Sequence, residues 1–327
     1  MMNLQTNYMG LILKNPLVVS SSALTSSVEK IKKLEAAGAG AVVLKSLFEE
    51  QIAYESNSLV NNMQGDYPEA YDYIKNYTRN NGVADYVNLI RETKSSVSIP
   101  VIASIHCYSS EEWVDFARQL QAAGADALEL NINILNTDKY SDCRSVEEKY
   151  YQIISQVTKA VSIPVAVKIG HQFSDLVAFV KNLYAAGARG VVLFNRFFQP
   201  DIDIEKMTLT SAEVFSSPQD YALSLRWVAI ISGQLKNAHL SASTGIHDGG
   251  TVVKQLLAGA QTVQVCSAIY LQGAGLLTQM LEDLTAWMAH KGFKDISEFR
   301  GRLNYAGIPD QVVYERTQFM RYFASGE

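Results

Sequence analysis

The chain has 327 residues, of which 48% are hydrophobic and 19% charged. That balance excludes a mainly disordered polymer and supplies core material for two ordinary domains or one large barrel. A net charge of -5 argues against a general nucleic-acid binder, and no run approaches the roughly 20 apolar residues of a membrane span. Residues 1–15 lack a basic flank followed by an apolar stretch, so no secretory leader is expected. Cys107, Cys143 and Cys266 are too few and too scattered for a disulfide framework, a zinc site or an iron–sulfur centre, which points to a reducing, cytoplasmic setting.

In chain order, residues 17–20 form a first apolar strand ending in Ser20-Ser21-Ser22, and a helical pattern covers 27–37. That helix closes on Ala36-Ala37-Gly38-Ala39 before a second strand, 41–45, which ends on Lys45. A long polar connection rich in Asn and Tyr, 46–82, follows. Val97-Ser98-Ile99-Pro100 stops the next helix and opens strand 101–105, since Pro blocks helical continuation. Helix 110–123 ends on Ala122-Ala123-Gly124-Ala125 before strand 127–131. Helix 146–160 leads to Val161-Ser162-Ile163-Pro164 and strand 165–169. Helix 174–186 closes on Ala185-Ala186-Gly187-Ala188 before strand 190–195. A loosely alternating run, 199–217, comes next, then strand 239–243, helix 249–258 closing on Leu257-Ala258-Gly259-Ala260, and strand 262–266. Each Gly suits the left-handed residue that ends a helix.

Eight short strands alternating with helices predict a (β/α)8 TIM barrel, with an open doubly wound sheet as the alternative. Residues 1–303 form the barrel, and 46–82 and 199–217 are cap segments after strands two and six. Residues 304–327, with Tyr314, Phe319, Tyr322 and Phe323, form an extension that packs on the barrel or on a partner subunit.

Barrel chemistry sits where strands end. Those positions hold Ser20, Ser21, Lys45, His106, Asn131, Lys168, Asn195, Thr244-Gly245 and Cys266-Ser267. Glu129 shares a strand face with Asn131, and if that face is interior it can pair with Lys168 or Lys45. The last two turns, with helix N-termini behind them, suit a phosphate.

Together these pieces resemble the dihydroorotate dehydrogenase family, most nearly its soluble class 1 members. The carriers are Asn15-Pro16-Leu17-Val18, Lys45-Ser46, Glu129-Leu130-Asn131, Pro164 to Lys168, Asn195, Gly245-Ile246 and Lys291-Gly292-Phe293. The resemblance implies an FMN-dependent oxidoreductase of pyrimidine biosynthesis, acting on CH–CH groups by hydride transfer to the flavin, and a homodimer. It implies cofactor contacts from Ser20, Ser21, Lys45, Asn131, Lys168, Thr244, Gly245, Cys266 and Ser267. Asn131, Asn136, Asn195 and Arg196 fall on the substrate side.

The family's Asn-Leu-Ser-Cys-Pro-Asn segment reads Asn131-Ile132-Asn133-Ile134-Leu135-Asn136 here. Ile134 therefore stands where the family keeps its Cys or Ser base, and isoleucine cannot take a proton. Residues 61–68 only echo the family's substrate loop, and Arg196 replaces a Ser or Thr. The expected substrate is thus a small, anionic molecule other than dihydroorotate, with Arg196 free to hold a carboxylate. Lys168 is the expected catalytic cation, and His106, Cys107 and Cys143 are the candidate acids or bases, with His171 behind them. The alternatives are a non-catalytic or electron-transfer flavin-binding paralogue acting with a partner protein, and a lyase using Lys168 as a Schiff-base amine.

Overall fold

The computed structural model describes residues 2–48, 68–107, 110–140, 142–197 and 199–316, without the side chains of 48, 68–81, 110–111 and 143. Eight parallel strands close a barrel: β1 (Leu17–Val19), β2 (Ala41–Val43), β3 (Val101–His106), β4 (Ala127–Asn131), β5 (Val165–Ile169), β6 (Gly190–Leu193), β7 (Leu240–Ser243) and β8 (Thr262–Val265). Each pairs with its sequence neighbour, and β8 returns to β1 through Val263 opposite Leu17. The helices are α1 (Val28–Ala36), α2 (Pro68–Ser96), α3 (Ser110–Ala122), α4 (Cys143–Ala160), α5 (Leu176–Ala185), α6 (Tyr221–Gln234), α7 (Gly249–Ala258) and α8 (Leu276–Lys291). This is the TIM barrel that the strand count predicts, and the open sheet is excluded by the closure.

The repeated glycines do the same work at each turn. Gly38, Gly124, Gly187 and Gly259 all take left-handed φ between 100° and 116°, where a side chain is strained. The Val-Ser-Ile-Pro echo extends to hydrogen bonding. Glu35 Oε1 accepts from Ser98 N, Ser98 Oγ and Ile99 N, and Gln121 Oε1 accepts from Ser162 N, Ser162 Oγ and Ile163 N.

An antiparallel hairpin, Thr6–Tyr8 with Leu11–Leu13, plugs the N-terminal end of the barrel. Tyr8, Met9 and Leu13 pack there with the inward side chains Val18, Ala41, Val43, Ile102, Ala127 and Ala166.

One expected segment differs from the sequence reading. The supposed connection 46–82 contains α2 from Pro68 onward, and 49–67 lies outside the described residues. Residues 68–82 are rich in Asn, Tyr and charged residues. The helix is anchored beyond them by buried Val83, Tyr86 and Ile90, and elongation from an anchored end costs little. The run after β6 forms a hairpin, Pro200–Asp203 with Thr208–Ser211. In the C-terminal extension, Tyr305 N donates to Ala229 O on α6, and Tyr314 packs against the core. Phe319, Tyr322 and Phe323 lie outside the described residues.

Candidate active site

At the C-terminal ends of the strands lies a cavity of about 580 Å³. Its walls come from the Ser20–Ser22 turn, Lys168, Asn195, the Ser243–Ile246 turn, Gln264 and Cys266-Ser267. The base of the hairpin after β6, Gln199 and Ala212–Ser216, closes one side, so this expected cap segment does border the cavity.

Lys168 stands at the centre. Its position on β5 opposite Val192, with Asn131 opposite it on β4, turns its side chain into the barrel. The ammonium donates to Ser20 Oγ at 3.0 Å and to Gln264 Oε1 at 3.1 Å, using two of its three N–H groups. Both acceptors are neutral. The Glu129 carboxylate lies 4.0 Å away, so it pairs with Lys168 and not with Lys45. Glu129 Oε2 accepts from Gln264 Nε2 at 2.6 Å, while Glu129 Oε1 is buried without a hydrogen-bond partner. Burial pushes the Glu129 carboxyl above the ordinary glutamate range, against the pull of Lys168 and of the Gln264 amide. The Lys168 ammonium, whose two hydrogen-bond acceptors are neutral, lines the cavity.

Asn131 and Asn195 meet across the mouth: Asn195 Nδ2 donates to Asn131 Oδ1 at 2.8 Å. A chain of hydroxyls, Ser21 to Ser46 at 3.0 Å and Ser46 to Ser104 at 2.7 Å, ties the turn after β1 to β3. After β7 the chain turns through two left-handed residues, Thr244 at φ 76° and Gly245 at φ 77°. A Cβ on Gly245 would meet Tyr221 N at 2.1 Å, so only glycine fits. Ser216 Oγ accepts from Gly245 N and bonds the buried His247 Nε2 at 3.1 Å, which fixes that turn. Cys266 precedes the short helix Ser267–Gln272, whose first N–H groups have no acceptor within the helix. Burial raises the Cys266 thiol, while Ser22 and Lys168 draw it down.

The other expected residues are spread more widely. Lys45 stands two residues beyond β2, exposed, and does not line the cavity. Asn136 is exposed in the loop after β4, its Oδ1 accepting from Asp138 N. Ile134 packs against the outer core, and its N–H donates to Tyr150 Oη. The His106 Nδ1 contacts Asn131 O at 2.5 Å. Cys107 is buried in the outer core and does not line the cavity. Cys143 opens α4, its side chain outside the described set. His171 faces Phe194 in a smaller adjoining cavity shared with Asn195 and Thr244.

Arg196 corrects its expected role. Its guanidinium donates to Asp220 Oδ2 and to the carbonyls of Glu213, Val214 and Phe215. Four bonds commit it to holding the cap loop, and one N–H is left for a ligand. Gln264, Ser216 and His247 were not singled out from the sequence. Gln264 alternates inward within an otherwise apolar strand, a signal that was legible; Ser216 and His247 meet only in three dimensions.

The cavity fits a flavin mononucleotide. Its volume suits a cofactor of that size, the Lys168 ammonium faces it, and the turns after β7 and β8 stand beside it to take a phosphate.

A family model described as dihydroorotate dehydrogenase matches residues 3–288. The catalytic subunit of dihydroorotate dehydrogenase B (NAD(+)) from Thermoplasma volcanium is 25% identical over 311 residues, 92% of this chain and 98% of that protein. The same subunit from Pyrococcus abyssi is 28% identical over 304 residues, covering 91% and 98%. A putative dihydroorotate dehydrogenase A (fumarate) from Aeropyrum pernix is 28% identical over 303 residues, covering 89% and 94%.

Proposed function

This chain belongs to the dihydroorotate dehydrogenase family, FMN-dependent oxidoreductases of pyrimidine biosynthesis acting on CH–CH groups, and from that premise we propose that it oxidises or reduces a small anionic molecule other than dihydroorotate. The observation that carries the reading is the Lys168 ammonium, held by the neutral Ser20 and Gln264 and facing the mouth cavity.

Bound FMN supplies a two-electron carrier that exchanges hydride at its N5 position. Lys168 provides a fixed positive charge that favours the electron-rich form of the ring, in a site walled from water. Asn131 and Asn195, locked to each other, orient ring and substrate, with Asn136 on the loop beside them. Ser20 and Ser21 would hold the ring, the turns Thr244-Gly245 and Cys266-Ser267 would hold the phosphate, and Lys45, outside the cavity lining, would reach the cofactor from the loop after β2. His106 holds the Asn131 main chain and, with Cys143, remains a candidate for proton transfer. Arg196 positions the loop 213–215 and offers its last N–H to the anionic substrate.

Ile134, partly buried against the core, brings no proton acceptor to the position where the resemblance puts the family's base. That one observation also favours the second reading, a flavin-holding electron-transfer subunit that works with a partner protein. The expected cellular setting is the cytoplasm; among the described residues no helix is long and apolar enough to cross a membrane. The expected partner is a second copy of the chain. Ile202, Ile204, Met207 and Leu209, all more than 60% exposed on the hairpin after β6, form the surface it covers.

Purified protein should take up FMN and show a yellow flavin spectrum. Anaerobic dihydroorotate should bleach it far more slowly than a productive anionic substrate does. A protein that cannot bind FMN defeats the reading, and fast bleaching by dihydroorotate defeats the substrate assignment. Inertness toward every small donor, with bleaching only by a co-purifying protein, selects the second reading.

A further inference from the structure

A second cavity is larger than the one at the mouth. It lies at the opposite end of the barrel, has a volume of about 1060 Å³, and opens between the ends of α4 and α5 and the loop before β7. Lys181, Arg189 and Lys236 line it, and no Asp or Glu does so among the described residues. None of these three cations has an ion-pair partner among the described residues. In a chain of net charge -5, a carboxylate-free cavity with three unpaired cations is a local reversal of sign.

The wall is of a different character. Pro164 and Tyr184 contribute apolar and aromatic surface, and Tyr184 is fixed because its hydroxyl donates to His239 O at 2.8 Å. His239, also in the wall, is held below the ordinary histidine range, first by burial and then by the Arg300 charge. A neutral imidazole leaves the three flexible cations as the groups that attract an anion. Charge-assisted bonds from lysine and arginine are the strong ones, and a guanidinium with two ammonium groups suits a phosphate better than a single carboxylate.

We propose that this cavity is a second ligand site, separate from the mouth, that takes a small phosphate-bearing molecule. Its anionic end meets Lys181, Arg189 and Lys236, and its planar body lies against the Pro164–Tyr184 wall. The bottom of such a barrel is ordinarily a stability face, with no reason to keep cations apart from carboxylates.

The test uses FMN-loaded protein, so that the phosphate turn at the mouth is filled. Isothermal titration at physiological salt is run with inorganic pyrophosphate and with adenosine diphosphate, which adds a planar body to the same anion. Both should bind saturably with one site per chain, adenosine diphosphate more tightly. The triple substitution Lys181→Ala, Arg189→Ala, Lys236→Ala should weaken both at least about tenfold. All three side chains are exposed, so the fold should persist, checked by circular dichroism and by an unchanged flavin spectrum. Lys33→Ala, an exposed lysine elsewhere, should leave both affinities unchanged. Non-saturable binding, equal affinity in the triple variant, or equal loss in the Lys33 control overturns the site. Equal affinity for the two probes overturns the role of the wall.

Discussion

On four strands the same inward face changes character within one pleat. Val18 gives way to Ser20, Ile102 to Ser104, Ala127 to Glu129 and Ala166 to Lys168. Below that line the barrel is filled by apolar side chains and sealed by Tyr8, Met9 and Leu13 from the N-terminal hairpin. Above it Ser20, Ser104, Glu129 and Lys168 face inward with Gln264, and most are tied to one another, Lys168 to Ser20 and Gln264, and Gln264 to Glu129. One backbone thus carries two interiors. The lower one supplies free energy by excluding water, and the upper one uses that rigidity to hold a charge where water cannot screen it.

If the halves divide labour in this way, substitutions in each should move different observables. Leu13→Ala, at a fully buried plug position, should cost about 2–5 kcal/mol of unfolding free energy while leaving FMN affinity in the folded protein unchanged. Urea unfolding beside a flavin titration checks this, and a joint loss of both would break the division. Lys168→Met should do the converse. The rate of flavin reduction should fall by about 10²–10³, a larger effect than the accompanying change in stability. Stopped-flow reduction and thermal unfolding of the same preparation separate the two effects.

The smallest effect sharpens the boundary itself. Glu129 has a folded-state pKa above its unfolded value, so the native state binds the extra proton in the interval between them. Its contribution to stability is then intact below the ordinary glutamate value and is progressively lost as pH rises through the raised one. Glu129→Gln removes this dependence. From about pH 4.3 upward the wild type should lose stability relative to the variant, seen as converging and then crossing unfolding midpoints. A wild type that gains on the variant with rising pH would show instead that the ion pair with Lys168 dominates.

Much of this organisation could be read from the chain. The four Ala-Gly echoes are legible because a left-handed helix end admits few residues other than glycine, and the strands because parallel barrel strands are short continuous apolar runs. Lys168, Asn131 and Thr244-Gly245 stand out as polar residues closing such runs. What was hidden depends on long-range packing. The polar composition of the first half of α2 hides a helix that its second half, with Val83, Tyr86 and Ile90 buried, anchors. Ser216 and His247, 31 positions apart, become partners only when the cap loop folds over the turn after β7. Arg196 looked like a free cation because three of its four acceptors are main-chain carbonyls, which no side-chain pattern reveals, and the fourth, Asp220, lies 24 positions away.

The two matched junctions before β3 and β5 differ in one respect. Where Gln121 latches the second, Glu35 latches the first. Burial works against the Glu35 charge, but the hydrogen bonds from Ser98 and Ile99 outweigh it and hold the carboxyl below its ordinary range. Its latch is complete at neutral pH and slackens as acid protonates it, whereas the amide is indifferent to acidity. An otherwise repetitive ring therefore has one seam that can be unfastened by protons and a twin that cannot, so acid fraying has a defined starting corner, between α2 and β3.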